Sequence, residues 1–175
     1  DTILNVGLTK SNLSFWEKKI GTRAARDSGR SLLQMFGNVV FGIDSKEFES
    51  ILNKIKEKRR VKEDCDLTVI DLAEVCTTFE KVISKNNFVM PETPEDQIFL
   101  AAQAVLKSWN NPRAKEYRKM EKIPDDLGTA IVVQRMVFGN LDENSCSGVL
   151  FSRDPSTGKN SVIGEFLPNA QGEDV

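Results

Sequence analysis

No histidine occurs anywhere in the 175 residues. That removes the commonest general base, the commonest protein metal ligand and any phosphohistidine intermediate carried by this chain, and triad-type hydrolase chemistry goes with them. Cysteine is nearly as scarce. Cys65, Cys76 and Cys146 are widely and unevenly spaced, which argues against a disulfide framework and a zinc site and for reduced, intracellular thiols. No apolar run approaches the roughly 20 residues that a membrane helix needs. An excess of one charge is missing too: the net charge is -2 with both signs dispersed, so neither a phosphate-tracking surface for nucleic acid nor an anionic-lipid anchor is expected. The chain opens without an initiator Met, a signal peptide or a transit-like segment, and neither end has the loose polar composition of a natural terminus. The expectation is a piece of something longer, in a reducing compartment, the cytoplasm.

What is present is the composition of a globular protein, 39% hydrophobic and 29% charged. A chain of this size buries about two-thirds of its unfolded surface. From about residue 11 to 121 the apolar spacing is helical. Ser11 or Asn12 can cap a short helix that Gly21 ends, and a longer pattern places Leu32, Phe36, Val39, Val40 and Ile43 on one face. Ser45 precedes Phe48, Ile51, Leu52 and Ile55. Thr68 with Asp71 forms a capping-box-like start for a helix burying Leu72, Cys76, Phe79, Val82 and Ile83. Thr93-Pro94-Glu95-Asp96 opens a helix burying Ile98, Ala102, Val105, Leu106 and Trp109, and Asn111-Pro112 opens another through Tyr117 and Met120. Each stripe reads as core of a helical bundle. Lys54, Lys56, Lys58, Arg59 and Arg60, followed by Glu63, Asp64 and Asp66, read as a solvated helix end rather than a binding patch.

After Ile123-Pro124-Asp125-Asp126-Leu127-Gly128 the apolar period shortens to 2. Three strands are expected, over residues 129–138, 146–153 and 160–167, with loops short enough to force antiparallel pairing of neighbours. The fold class is α+β, a helical-bundle subdomain followed by an antiparallel β segment.

Several polar residues in that half carry chemical potential, each beside a plainer alternative. Gln134 interrupts an apolar run with Met136 two residues on, a pattern suited to a flat heterocycle or to an ordinary strand with one solvent-facing glutamine. Glu165 sits in a strand, and Asn169, Gln171, Glu173 and Asp174 follow; hard oxygen ligands suit Mg²⁺ and polyphosphate, yet acids at a strand end are usually only solvated. Asp154-Pro155-Ser156-Thr157-Gly158 is a turn whose amides can cradle an anion or simply close a hairpin. Arg113, just inside a helix start, opposes the helix dipole, which suits a residue facing a phosphate or a partner's acid as well as one in open solvent.

Asp1-Thr2-Ile3-Leu4-Asn5-Val6-Gly7-Leu8, Gln34-Met35-Phe36-Gly37-Asn38-Val39-Val40, Ser108-Trp109-Asn110-Asn111-Pro112-Arg113-Ala114, Ile123-Pro124-Asp125-Asp126, and the stretches 133–140, 154–158 and 164–175 occur in this order. In order and spacing they resemble the pyruvate phosphate dikinase family over the whole chain. The resemblance implies part of an ATP-grasp-like nucleotide domain that takes ATP and phosphate, with Mg²⁺, and releases AMP and diphosphate through a phosphohistidine on a separate swivelling domain. A third domain converts pyruvate to phosphoenolpyruvate, and the parent protein dimerises through its C-terminal domain. The implied layout is the end of a small-lobe segment at 1–21, a helical subdomain at 22–108, a return to the small lobe with a hinge strand at 109–138, and the start of the second lobe at 139–175.

Carried over residue by residue, Gln134, Met136 and Val137 resemble the hinge that meets the adenine, and Glu165 and Glu173 resemble acids near the phosphates. Arg113 and Ser156 resemble residues near the face that meets the phosphohistidine domain. No catalytic residue or metal ligand is assigned within the chain, because the family's glycine-rich, lysine-bearing start, its arginine and its later acidic ligands fall outside it. The text departs from the family at residues 24–30, which lack the usual aromatics, at Leu127 where Trp is common, and at Pro168, where a strand must end or lie at an edge. The helical-insert surface is therefore the least secure carry-over. The competing readings are a dikinase of the phosphoenolpyruvate synthase or glucan, water type, a degenerate dikinase kept for regulation, and a non-catalytic helical interaction module in which Gln134, Glu165 and Glu173 point apart into solvent.

Overall fold

The computed structural model describes residues 2–174, without the side chain of Glu173. Asp1, Val175 and the Glu173 carboxylate, all named above, therefore lie outside the described residues. Six helices precede one hairpin: α1 (Leu13–Ile20), α2 (Thr22–Met35), α3 (Ser45–Arg59), α4 (Val69–Lys85), α5 (Pro94–Ser108), α6 (Pro112–Glu121), then β1 (Cys146–Phe151) and β2 (Ile163–Pro168). The α+β class holds, with the strands antiparallel and Val149 opposite Glu165 in the register.

Local chemistry sets most helix starts. The Thr68 hydroxyl accepts the Asp71 amide at 3.3 Å while the Asp71 carboxylate accepts the Thr68 amide at 3.1 Å, a reciprocal cap on α4. The same hydroxyl donates to Asp71 at 2.6 Å, which holds that carboxyl below its ordinary pKa. Thr93 caps α5 ahead of Pro94, and Asn12 and Gly21 bracket α1. At α3 the cap is Asp44, which accepts the Lys46 amide at 3.0 Å.

Leu33, Ile43, Phe48, Leu52, Leu72, Val75, Phe79 and Ile83 form the main core between α2, α3 and α4. Phe48 and Phe79 meet edge to face with ring centroids 5.0 Å apart. The long helical pattern that should run to Ile43 is broken, because Phe36–Val40 winds as a π turn with the Phe41 amide bonded to the Phe36 carbonyl at 3.1 Å. The turn brings Gly37 under the Phe48 ring, so closely that a Cβ there would overlap it.

Three expectations need correction. Residues 129–138 form no strand: they are irregular and mostly exposed, because a β-prone run is a strand only when another backbone takes its hydrogen bonds, and the sheet of the described residues holds β1 and β2 alone. α5 buries Gln97 and Ala101 rather than Ile98 and Leu106, which are exposed. Gln97 wins the inward position by accepting from the Gly7 amide (2.9 Å) and donating to the Leu8 (3.0 Å) and Pro91 (3.3 Å) carbonyls, groups that an isoleucine would leave unpaired. On α6, Tyr117 and Met120 are exposed and Arg118 is buried instead. In the departing stretch 24–30, Ala24, Ala25, Asp27, Ser28 and Arg30 are all buried.

The basic end of α3 is mostly exposed, as expected of a solvated helix end, and several of its charges are paired. Lys56 pairs with Asp64 (2.8 Å), Lys58 with Glu74 (3.1 Å), and Arg59 with Glu74 and Asp71, tying α3 to α4. Pro168 ends β2, as a residue without an amide hydrogen must. Replacing Gly37 by Ala is expected to lower stability by about 1–3 kcal/mol through overpacking against Phe48, read as a lower urea midpoint with an unchanged m-value.

Candidate functional site

Buried polar groups on α2 hold the β half against the helices. Asp27 and Arg30 pair, Arg30 donating through Nε (3.1 Å) and Nη2 (3.0 Å) to Asp27 Oδ1, and Arg30 is only 2% exposed. Burial drags the Arg30 pKa down, but the surrounding carboxylates of Asp27, Asp64 and Asp174 outweigh it and leave the guanidinium above its ordinary value. The other Asp27 oxygen accepts from Asn140 Nδ2 at 2.8 Å. Gln171 is 0% exposed, and its Nε2 is shared among Ser28 Oγ (2.9 Å), Asn5 Oδ1 (3.2 Å) and Asn140 Oδ1 (3.4 Å). Its Oε1 accepts from Asn5 Nδ2 at 2.7 Å, and that amide also reaches Ser31 Oγ at 3.2 Å. Asp174 accepts the Gln171 amide at 2.8 Å; burial pushes its carboxyl up, against that hydrogen bond and Arg30. Gln171 and Asp174, grouped above with possible phosphate or metal ligands, are thus engaged in holding the chain together.

Gln134 and Val137 are exposed and Met136 half-buried, on the irregular run. That run is pinned at its end, where Phe138 packs on Trp16 with centroids 6.1 Å apart. At Gly139 a Cβ would strike the Ser147 side chain and the Ala170 and Cys146 carbonyls, so the backbone itself fills the joint. Glu165 is exposed on β2, and Arg113 is exposed at the start of α6. Ser156 is exposed in a turn whose amides are already taken: Asp154 accepts from the Ser156 (2.8 Å) and Thr157 (3.1 Å) amides and from the Thr157 hydroxyl (2.6 Å). That hydroxyl, first among these, holds the Asp154 carboxyl below its ordinary value. An anion at this turn would meet side-chain hydroxyls rather than an open amide nest.

Neither of two cavities in the structure brings these residues together. A cavity of about 610 Å³ lies between α2, α4 and the 8–13 and 88–92 segments, floored by Leu8, Leu32, Leu33, Cys76, Ile83 and Met90. A second, of about 230 Å³, is lined by Asp27, Asp64, Asn169 and Asp174 among others. Neither is lined by Gln134, Met136, Val137 or Glu165. Among the described residues no three His, Cys, Asp or Glu side chains are grouped so as to hold a metal ion. The carboxylates of the described residues therefore do not make a Mg²⁺ site by themselves. Nor is any helix among them long and apolar enough to cross a membrane.

Asn5 and Asn140 stand in the ordered motifs without a role assigned to them, since each acquires its meaning only from a distant partner, and Arg118 carried no signal, because the apolar spacing of its helix put Tyr117 and Met120 inward.

Comparison with known proteins supplies the class: the model for the pyruvate phosphate dikinase AMP/ATP-binding domain matches residues 1–175. The chain belongs to that pyruvate phosphate dikinase domain family. It is 47% identical over 178 residues to pyruvate, phosphate dikinase of Clostridium symbiosum, covering 100% of this chain and 20% of the relative. It is 48% identical over 176 residues to the chloroplastic pyruvate, phosphate dikinase of Mesembryanthemum crystallinum (100% and 18%) and 45% identical over 179 residues to the pyruvate, phosphate dikinase of Giardia intestinalis (100% and 20%). The chain thus spans about a fifth of the length of these relatives. The non-catalytic module and the other dikinase types are not favoured.

Two outcomes follow from the geometry. Asp27→Asn, which leaves Arg30 short of its nearest counter-charge, should cost about 3–5 kcal/mol, and Asn140→Ala about 1–3 kcal/mol, in that order by chemical denaturation. Burial lifts the Cys76 thiol to about 11, while Cys146 is exposed. At pH 8 about one Cys76 in a thousand is thiolate, so iodoacetamide should label Cys146 well before Cys76, with Cys76 labelling rising as pH climbs toward 11.

Proposed function

We propose that this chain is part of the nucleotide-binding domain of a pyruvate, phosphate dikinase, a phosphotransferase that converts ATP, phosphate and pyruvate to AMP, diphosphate and phosphoenolpyruvate. Because AMP is the product, the bond that breaks joins the α- and β-phosphoryl groups, and AMP leaves with the bonding pair. Inorganic phosphate then takes the terminal phosphoryl: the bond between the β- and γ-phosphoryl groups breaks, its pair stays with the β-phosphoryl group, and diphosphate leaves. The remaining one rests on a histidine nitrogen before reaching the enol oxygen of pyruvate. With no histidine in these 175 residues, that carrier belongs to another domain of the same polypeptide, as does the pyruvate site.

In this reading the domain is ATP-grasp-like, its lobes divided near residue 138, with ATP between them and the small lobe interrupted by the helical subdomain. The 129–138 run meets the adenine, main-chain groups reading the ring edge while Met136 packs on its face. Gln134 and Val137 flank it. Glu165 and Glu173 approach the phosphates, where Mg²⁺ bound in the complete domain offsets charge at the transferred group. Arg113 and Ser156 face the phosphohistidine domain. The parent protein works in the cytoplasm or, as the plant relatives' names indicate for them, in a chloroplast, and dimerises through its C-terminal domain.

The observation that carries the reading is the family match across every residue, joined to a β half that is open where a nucleotide lobe needs a partner. Val132, Val133, Leu150 and Phe166 are exposed, and 129–138 has no strand beside it among the described residues. Exposed large apolar side chains of this kind are what a partner lobe would cover.

Val137 is 85% exposed, so a larger polar residue there leaves this chain's own packing untouched. In the full-length protein Val137→Glu should raise the ATP KM at least about tenfold, roughly 1.4 kcal/mol of lost binding, without a lower Tm. A KM within about twofold of wild type would count against an adenine contact at this segment.

A further inference from the structure

α6 is unusual among these helices because nothing apolar holds it. Its only buried residue is Arg118, its large apolar residues Tyr117 and Met120 face solvent, and among the described residues no other helix packs extensively against it. A ten-residue helix with so little burial has no intrinsic reason to keep one direction.

What fixes it is a clamp at the corner. Arg118 is 3% exposed. Its Nη1 donates to the Trp109 carbonyl at 2.6 Å, its guanidinium carbon lies 3.9 Å from the Trp109 ring centroid, and its Nε donates to Asp125 Oδ1 at 2.7 Å. The Trp109 indole closes the circuit by donating to the Asp125 carbonyl at 3.2 Å. One planar cation thus binds the end of α5, the body of α6 and the turn Asp125–Leu127 that leads into 129–138. Stacking and two differently aimed donors together need a guanidinium; a lysine offers a single point charge, and a methionine neither.

We infer that Arg118 is a positioning residue, which acts by aiming α6 and so setting where Arg113 points. Arg113 lies five residues earlier on the same helix, about 7.5 Å along the axis and roughly 140° around it. The clamp therefore faces inward while Arg113 faces out, and a rigid helix passes the direction of one to the other. The inference rests on the proposed role of Arg113 toward the phosphohistidine domain. It adds a residue that meets neither nucleotide nor partner yet governs the step in which they meet.

The test uses the full-length protein and compares Arg113→Ala, Arg118→Met, Asp125→Ala and the double variant Arg113→Ala/Arg118→Met. The readouts are single-turnover AMP formation from ATP and phosphate, the ATP KM and the Tm. Arg118→Met is expected to slow AMP formation at least about tenfold while the ATP KM stays within about twofold, and the double variant should be no slower than the slower single, since both remove one function. Asp125→Ala removes only an exposed partner of the clamp, so it folds even if Arg118→Met does not, and it should show a smaller loss of the same kind. Multiplying effects in the double variant, or wild-type rates in Arg118→Met or Asp125→Ala beside a slow Arg113→Ala, would overturn the inference alone. A wild-type rate in Arg113→Ala would overturn the reading of Arg113, and the inference with it.

Discussion

Asp27 divides its carboxylate between two partners, and the placement of the β half follows from that division. One oxygen neutralises Arg30 one turn along α2; the other accepts from Asn140, at the joint between the 129–138 run and the hairpin. A buried ion pair rarely adds net stability over an apolar pair of the same shape, because desolvation consumes the Coulombic gain. What it adds is selectivity, since any other register leaves a charge or an amide unpaired in the interior. Gln171, Asn5, Ser28 and Ser31 extend the same logic to both ends of the chain. Ala24, Ala25 and Ser28 are small and buried, which lets backbone segments come close enough to α2 for these amides to reach.

The two halves are therefore held by different physics. The helical half has a core of leucines, isoleucines and phenylalanines, where each buried side chain contributes about 1.5–3 kcal/mol and neighbours compensate for one another. The β half has few such residues inside; its joint depends on directed hydrogen bonds that fail together. α6 is a third case, a helix directed by a single guanidinium. Local opening should start in the β1–β2 hairpin and along 129–138, where no residue is buried, and reach the α2–α4 packing last.

The helical half was legible because its signals are local. Thr68 with Asp71, Thr93 with Pro94 and Gly21 each declare a boundary within four residues, and the spacing of Phe48, Leu52 and Ile55 declares a face. The errors arose where a distant group overrode the pattern. Gln97 took an inward position on α5 because Gly7, Leu8 and Pro91 offered it three backbone partners. Residues 129–138 have strand composition, yet a strand is a property of two backbones, and periodicity reports on one. The network around Gln171 was invisible for the same reason: its bond to Asn5 spans 166 positions and that from Asn140 to Asp27 spans 113, and amide side chains carry no period. The family was readable from ordered motifs, whereas the site was not assembled by them, since Gln134, Glu165 and Ser156 remain exposed and apart from the two cavities.

A surface that must meet a moving domain repeatedly gains from elements whose own hydrogen bonds are closed before contact. The Asp154 turn meets that condition: its carboxylate takes up the Ser156 and Thr157 amides and the Thr157 hydroxyl, so the loop carrying Ser156 has a fixed shape without help from a partner. α6 meets it by other means, with Arg118 closing the corner and Arg113 left outside in solvent. In both places the group offered outward stands on an internally satisfied frame. An apolar anchor for α6 would have required a second helix face to pack on, adding bulk beside the proposed approach route. A guanidinium stacked on Trp109 achieves the same fixity within one corner. Pre-organisation of this kind lowers the ordering entropy lost at each encounter and leaves the strength of the contact to the partner's own groups.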